Sequence, residues 1–378
     1  MSSTQCTRIL ICHFSHLSYR HYEYDARAIK QAYGGRDIHS YLGPGERMGG
    51  STHGVGWGRR NYHPGQRRGD NTDYGLYTEV VLQFLASSGA TRRNAPFDLD
   101  GFVPFWRARL EKPEGHPEHW GAWRCTQTRQ ALDKVRRGET NYGRLGGNSN
   151  AMGVRGAAFL GVYDDEDAVA AAARAAMFTH RNPEALLGSE FFTRVAFRLV
   201  HDDNKNLTPL QAIRAVDARM NNAFVSEQVR KGIAKFNEVM DAGRPLGKEE
   251  FADDLAMTSM ARLWDVGRTE PIKVGKASPT EGTMPSSIYI ILKYSANTDG
   301  ALNNFIAAAR ANAMVGGDNA SRAVAIGAVL GAYYGVEGIV DPASSGEAHL
   351  KTGLNAWKRC EAWLDKLPLL SNSGKSEL

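Results

Sequence analysis

Apolar positions recur along most of this chain with the 3.6-residue period of an α-helix. Residues 77–86 carry apolar side chains at helical spacing, and residues 167–178 form an alanine-rich run with an acidic start that suits the positive end of a helix. The dipeptide Thr208-Pro209 predicts a helix N-cap followed by proline at the first helical position. Residues 225–240 and 302–314 continue the same period. The pattern therefore predicts a mainly helical protein.

Strand-like runs are few. The clearest is SIYIIL at residues 287–292, which also fits the start of a helix. Many of the 40 glycines lie in residues 34–75 and 143–161, which we expect to form long loops of the kind that carry function. Neither an internal repeat nor a flexible linker is visible. We expect one all-α domain over residues 1–378, decorated with long N-terminal loops, with a frayed tail at residues 366–378.

The composition excludes several classes of protein. With 42% hydrophobic and 23% charged residues, the 378-residue chain is typical of folded globular proteins rather than disordered ones. No run of 18 apolar residues exists and Arg8, His13 and His16 interrupt the first segment, so we expect no membrane span, no secretory signal and a cytoplasmic location. The four cysteines have no metal-type spacing, which favours reduced thiols.

The charge balance bears on partners. Against 41 acidic residues there are 46 basic ones, a net charge of +5 spread along the chain. Nucleic-acid binding needs a concentrated basic stripe, which no predicted helix shows, so we expect no nucleic-acid partner. A small anionic ligand such as a diphosphate suits the positive balance. The oligomeric state stays open.

The first candidate segment for chemistry is GDNTDYG at residues 69–75, at the start of a predicted helix. Thr72 and Asp73 present a hydroxyl and a carboxylate there, which are oxygen ligands that magnesium prefers. The alternative is ordinary capping of the helix by Thr72 or Asp73.

The second candidate segment, at residues 315–322, lies between two predicted helices. Gly316 and Gly317 permit a close approach of the backbone to a ligand, and Asp318 and Ser321 can both point from the turn. The alternative for Asp318 is again a helix N-cap.

The third candidate segment, at residues 146–155, is rich in glycine and amide side chains. Such a turn offers backbone N–H groups to phosphate oxygens, although a plain surface loop is the alternative. Downstream, Thr179-His180 ends the alanine-rich helix, where His180 also fits as a favourable cation at a helix C-terminus.

Taken in this order, the segments resemble the motifs of the ADP-ribosylglycohydrolase family. Thr72-Asp73-Tyr74 resembles its Thr-Asp-Asp, residues 147–155 its glycine-asparagine loop, Thr179-His180 its Thr-His, and residues 316–321 its Gly-Gly-Asp-x-Asp-Thr/Ser. The resemblance implies an orthogonal all-α helical bundle with a magnesium centre. Within the family, residues 21–25 and 62–65 are similar to the branch of J-type crystallins and a related selenoprotein.

The chain departs from the family pattern at two of its four metal-binding aspartates. Tyr74 stands in place of one and Ala320 in place of another. The resemblance therefore implies one magnesium ion at most, or none, held by Thr72, Asp73, Asp318 and Ser321. The early Gly-Asp-Ala segment of the family is also not visible in residues 12–16.

The resemblance implies metal-assisted hydrolysis of a glycosidic bond to an ADP-ribosyl or ribosyl group, small or protein-linked. Asp73 and Asp318 would be the catalytic carboxylates. The residues implied for substrate contact come from all the motifs: Tyr74, Gly147, Asn148, Ser149, Asn150, Met152, His180, Gly316 and Gly317. For Tyr74, packing as a buried aromatic is the alternative. Two other functions stay open, namely a non-hydrolytic ADP-ribose-binding or crystallin-like structural protein, and a hydrolase of small N-ribosides.

Overall fold

Helices make up nearly all of the regular structure in the part of the chain that is described. The computed structural model describes residues 23–38, 66–67, 69–87, 94–143, 150–202, 206–241, 253, 257, 263–264, 272–273, 276–296, 301–335 and 355–370. The α-helices in chain order are α1 Ala26–Ala32, α2 Asp73–Ser87, α3 Leu99–Leu110, α4 Thr126–Arg136, α5 Glu166–Ala176, α6 Pro183–Val200, α7 Pro209–Met220, α8 Ala223–Asp241, α9 Thr280–Ser295, α10 Ala301–Val315, α11 Asn319–Tyr334 and α12 Asn355–Leu364. The predicted all-α class is confirmed.

Two features differ from the expectations drawn from the sequence. The expected loop at residues 143–161 contains a 3₁₀ helix, Asn150–Gly161, and the strand-like run at residues 287–292 lies within α9. A short antiparallel pair joins β1 Leu263–Trp264 to β2 Ile272–Lys273, with Leu263 opposite Lys273. The run in α9 is apolar because its helix is buried on all sides, and a buried helix and a buried strand share that composition.

The helix starts form where the sequence provides caps. Thr208 accepts the backbone N–H of Gln211, whose side chain accepts from the Thr208 backbone in return, and Pro209 follows at the first helical position of α7. Asp165 caps α5, because its side chain accepts the backbone N–H of Ala168. These local bonds satisfy N–H groups that a helix start leaves unpaired, which explains why the predicted helix starts are confirmed.

The centre of the bundle is formed by α6, α9, α11 and the 3₁₀ helix, which pack on one another. One cluster of buried apolar side chains contains residues from Tyr74 to Leu370. Small residues, including Gly327 and Gly331, allow α11 to be buried along almost its whole length. Gly335, with φ +70°, follows the last residue of α11.

The prediction of a frayed tail is wrong for residues 366–370. Leu367 and Leu370 are fully buried, and the backbone N–H of Leu369 donates to the carbonyl of Gly161 at 3.0 Å. Both leucines pack on the 3₁₀ helix, and the apolar surface that they bury is enough to order residues 366–370. Residues 371–378 lie outside the described residues.

Two of the cysteines, Cys125 and Cys360, lie in the described residues and neither is in a disulfide. Cys6 and Cys12 lie outside those residues. No helix in the described ranges is long and apolar enough to cross a membrane.

An ion-pair network around Glu166 joins three helices. Glu166 lies in the first turn of α5, and its carboxylate contacts Arg194 of α6 at 3.1 Å, Arg198 of α6 at 3.0 Å and Arg219 of α7 at 3.3 Å. The Glu166 side chain is only 15% exposed, so its partners compensate a carboxylate that has lost much of its water. The network fixes α5 against α6 and α7.

Replacing this carboxylate should destabilise the bundle. We expect Glu166→Gln to lower the free energy of unfolding by about 1–3 kcal/mol, because Arg194 and Arg198 lose a charged partner in a half-buried setting. Urea denaturation measures the change. Asp133→Asn is the control, since Asp133 pairs with Arg136 at the surface, and it should stay within about 0.5 kcal/mol of the wild type. Equal effects of the two changes would contradict a role for the network.

Candidate functional site

Two helix starts that are far apart in sequence meet inside the protein. Asp73 begins α2 and Asp318 precedes α11. The hydroxyl of Tyr74 donates to Oδ2 of Asp318 at 3.3 Å, across a separation of 244 residues. The four predicted metal ligands at these starts, Thr72, Asp73, Asp318 and Ser321, are all buried. The tertiary structure thus brings the first and second candidate segments to one place.

Three oxygens at these helix starts are buried and have no hydrogen-bond partner in the described part of the chain. They are Oγ1 of Thr72, Oδ1 of Asp73 and Oγ of Ser321. A buried polar atom without a partner is costly, so native structures rarely keep one unless water, an ion or a ligand completes it. Two hydroxyls and a carboxylate are ligands that a hard cation prefers. These residues therefore fit a magnesium ion.

The hydrogen bonds show whether Asp318 and Thr72 cap their helices, which was the alternative to a role in the site. Asp318 is an N-cap, because its Oδ1 accepts the backbone N–H of Ser321 at 3.2 Å. Its Oδ2 meets Tyr74, so the carboxylate serves the helix and the buried site together. The unpartnered Oγ1 of Thr72 does not cap α2.

The carboxyl of Asp73 lies in a place that disfavours its charge. Burial raises its pKa well above the usual value, and the nearby charge of Asp318 raises it further, against the lowering effect of backbone N–H groups. Without a cation, the site therefore contains two carboxyl groups that repel each other when both are ionised. A bound cation would remove this cost.

Tyr74 and Ala320 replace family carboxylates with neutral groups. Tyr74 is buried and uses its hydroxyl on Asp318, and Ala320 is buried and offers no oxygen. In the described residues, no cluster of three or more His, Cys, Asp or Glu side chains is arranged to hold a metal ion. The described residues therefore offer a cation two carboxylates and two hydroxyls at this place.

The Gly316-Gly317 turn is shaped by contacts within the chain itself. Both glycines have positive φ, +72° and +67°. A Cβ on Gly316 would collide with the carbonyl of Glu23, and one on Gly317 with the carbonyl of Lys276. The Gly316 N–H donates to Ala313 at 3.2 Å and the Gly317 N–H to Glu23 at 2.5 Å. Both donors are already bonded, so the geometry does not support these glycines as the predicted substrate contacts.

A buried lysine and arginine support the Asp318 turn from behind. The Lys276 carbonyl accepts the Asp318 N–H at 2.7 Å, and its ammonium donates to the Tyr24 carbonyl at 3.0 Å. Arg322 donates to Oδ1 of Asn312 at 2.9 Å and to the Gly316 carbonyl. Sequence reasoning missed Lys276, because neither a spacing nor a motif distinguishes it, and it included Arg322 in the second segment without giving it a role.

His180 lies in a buried polar cluster next to α2. Its Nδ1 is 2.7 Å from Oγ1 of Thr179 and its Nε2 is 3.2 Å from Sγ of Cys125. Burial lowers the pKa of His180 well below the usual value, and the charge of Arg155 adds to this effect. Burial and the charge of Arg155 thus both disfavour the protonated imidazole, which argues against the alternative of a cation at the helix end. Both ring nitrogens already have partners, and the substrate contact stays a prediction.

Arg155 connects His180 to the first motif. This buried guanidinium donates to Oγ1 of Thr179 at 2.7 Å and to the Ala176 carbonyl, and lies 4.5 Å from the centre of the Tyr77 ring. The Tyr77 hydroxyl bonds to Thr128, whose hydroxyl is 3.2 Å from Cys125 Sγ. Arg155 ends the third segment and Tyr77 follows the first, but only the tertiary structure shows that they meet.

The glycine-amide loop is only partly described. Gly147, Asn148 and Ser149 lie outside the described residues, and Asn150 and Met152 are described by their backbone alone, in the 3₁₀ helix. Their predicted contact with phosphate or ribose therefore stays a prediction.

Comparison with known proteins agrees with this arrangement. A solved structure described as an "ADP-ribosylglycohydrolase-related protein complex" has the same helical fold, with a TM-score of 0.50 and 18% identity, over 94% of this chain and 99% of that chain. No curated protein sequence gives a significant match. Residues 21–370 match the ADP-ribosylglycohydrolase family, and since this is most of the chain, the protein belongs to that family.

Neutralising Asp73 should stabilise the metal-free protein. The native pKa lies above the unfolded value of about 3.9, so the native state binds more protons between these two values and stability falls as pH rises through that window. We expect Asp73→Asn to raise the free energy of unfolding at pH 8 in EDTA by about 1–3 kcal/mol.

Urea denaturation at pH 5 and pH 8 tests this expectation. The matched control is Asp100→Asn, since Asp100 is an exposed acid in the first turn of α3 and should gain no stability when neutralised. A loss of stability in Asp73→Asn at pH 8 in EDTA would contradict the assigned burial cost.

Lys276 should give the protein a second pH dependence. Burial, followed by the charge of Arg322, lowers its pKa to about 7. Because an unfolded lysine has a pKa of about 10.4, the unfolded state binds more protons between pH 7 and 10, and stability rises with pH there. In the wild type we expect the free energy of unfolding to rise by about 1–3 kcal/mol between pH 7 and 9.5, and in Lys276→Met we expect this rise to be absent, as measured by urea denaturation. An unchanged slope would contradict the prediction.

Proposed function

We propose that this protein hydrolyses a glycosidic bond at the anomeric carbon of an ADP-ribosyl or simpler ribosyl group, with one magnesium ion. The observation that carries this proposal is the set of three buried oxygens without partners at the two meeting helix starts, on Thr72, Asp73 and Ser321. A purely structural bundle gains nothing from keeping them buried and unpaired. Family membership supports ADP-ribose as the related substrate class.

The chain's own residues suggest how the reaction proceeds. Asp73 and Asp318 carry the negative charge of the site, and Thr72 and Ser321 supply neutral oxygens. When bound, magnesium would supply positive charge that orients the ribose hydroxyls. Asp73 would act as the general base, holding the water and accepting its proton. The water oxygen bonds to the anomeric carbon as the bond to the leaving group breaks.

The rest of the pocket would bind the substrate. Residues 147–152 offer backbone N–H groups and amide side chains for phosphate or ribose oxygens. His180 would contact the substrate from its buried cluster, where Thr179 bonds to its ring and Arg155 to Thr179. The substrate would be an ADP-ribosyl or ribosyl compound, small or protein-linked, and hydrolysis would release ADP-ribose or ribose.

A non-hydrolytic function is the second candidate. The observation that favours it is the bond from Tyr74 to Asp318, which places a neutral donor where the family pattern has a carboxylate. A site with two carboxylates holds a cation less strongly than one with four. Such a protein would bind ADP-ribose without cleaving it, or serve a structural role like the J-type crystallins that residues 21–25 and 62–65 resemble. A hydrolase of small N-ribosides is the third.

The experiment is a thermal shift with magnesium and ADP-ribose, separately and together, followed by a hydrolysis assay on ADP-ribosylated peptides and on plain ribosides. We expect stabilisation that needs both components and release of ADP-ribose. Asp318→Asn should abolish the shift and lower hydrolysis at least about 100-fold, because it removes one of two carboxylates.

Asp98→Asn is the matched control, because Asp98 caps α3 through the N–H of Gly101 as Asp318 caps α11. It should leave the shift and the hydrolysis unchanged. A ligand shift without any hydrolysis would favour the non-hydrolytic binder, activity only on plain ribosides would favour the third function, and no shift with either component would favour a structural role.

A further inference from the structure

The turn that carries Thr72 and Asp73 is held by the C-terminal helix α12. The backbone N–H of Asn355, the first residue of α12, donates to the carbonyl of Gly69 at 2.8 Å. Its side-chain amide donates to Oδ1 of Asp70 at 3.1 Å. Two consecutive residues of the turn are therefore bonded to a helix that follows them by more than 280 residues.

A second connection passes through a buried glutamate of α2. The side-chain amide of Asn71 donates to Oε1 of Glu79. Arg359 of α12 donates to the same carboxylate, at 3.3 Å to Oε1 and 3.2 Å to Oε2. The Glu79 side chain is 1% exposed and that of Arg359 is 34% exposed, so the pair shields a buried charge from one side.

In the described residues, one cation besides Arg359 interacts electrostatically with the Glu79 carboxylate. Arg109 of α3 is buried near Glu79, but its Nη1 donates to the carbonyl of Glu118. The guanidinium of Arg359, by contrast, donates hydrogen bonds directly to the Glu79 carboxylate. Arg359 is thus the cation that fixes the orientation of the Glu79 carboxylate.

Helix α12 is itself firmly packed. Ala356, Cys360 and Leu364 face the core and are buried, and the following Leu367 and Leu370 extend the same contact. A helix anchored by this apolar face provides a rigid base for the polar contacts on its other side.

We propose that Arg359 is a positioning residue for the candidate metal site. Through Glu79 and Asn71 it sets the turn from which Thr72 and Asp73 present their oxygens. The proposal rests on the proposed function for its ligand, while the mechanical part, that α12 holds the turn, stands on the contacts alone. Partners that orient metal ligands from behind commonly change metal affinity 10- to 100-fold when removed.

Two measurements test the proposal with Arg359→Met. Hydrogen exchange on the ligand-free protein should show faster exchange of amides in residues 69–76, while residues 356–364 stay protected. Calorimetric titration with magnesium chloride in the presence of ADP-ribose, well below the melting temperature, should give an affinity for magnesium lower by about tenfold or more. A merely structural effect would lower the melting temperature without changing this affinity.

Three further variants serve as controls. Arg359→Lys keeps the charge and should recover much of the affinity, although without the two-point bond. Arg136→Met removes a comparable half-exposed arginine from its pair with Glu111, far from the turn in sequence, and should change neither readout. The double change Glu79→Gln with Arg359→Met removes the uncompensated buried charge but keeps an acceptor for Asn71, and it should still show faster exchange in the turn.

Each outcome is decisive. Unchanged exchange in residues 69–76 in both Arg359→Met and the double variant overturns the proposal. Faster exchange with unchanged magnesium affinity also overturns it, because the turn would then move without affecting the site. If the wild type binds neither magnesium nor ADP-ribose, the proposed function and the positioning role towards that ligand fail together, and the exchange data still decide whether α12 holds the turn.

Discussion

The fold depends on one costly arrangement, the burial of two carboxyl groups at the point where the helix starts of α2 and α11 meet. Asp73 and Asp318 lie there, and burial together with the charge of Asp318 raises the pKa of Asp73. The buried guanidinium of Arg322, the positive ends of the two helices and the Tyr74 hydroxyl relieve part of the cost.

Much of the surrounding structure serves to hold these two helix starts in place. Behind Asp318, the carbonyls of Glu23 and Lys276 accept the turn's N–H groups, and only glycine fits at the two positions between them. Behind Asp73, Asn71 and Glu79 connect the turn to α12. Glu23, Lys276 and α12, which are far apart along the chain, thus all contribute to holding the two helix starts.

Tyr74 gives the site its particular character. The Tyr74 hydroxyl donates to Asp318, whereas a carboxylate at this position would repel Asp318. A tyrosine in place of a carboxylate therefore stabilises the metal-free protein, and it also weakens the attraction of the site for cations. The neutral hydroxyl thus pairs with a buried carboxylate at the place where oxygens of Thr72, Asp73 and Ser321 have no partner in the described part of the chain.

The sequence alone determined the helical class, most helix positions and the order of the motifs, because periodicity, N-caps such as Thr208 and the short signature at residues 72–74 are local properties. It also identified Asp73 and Asp318 as candidates. It did not reveal Lys276 or Arg359, nor that Arg155 of the third segment bonds to Thr179, nor that Gly316 and Gly317 approach the chain's own backbone. These depend on contacts between residues that are distant in sequence, whose partners no local pattern specifies, so only the tertiary structure decided which groups share one buried space.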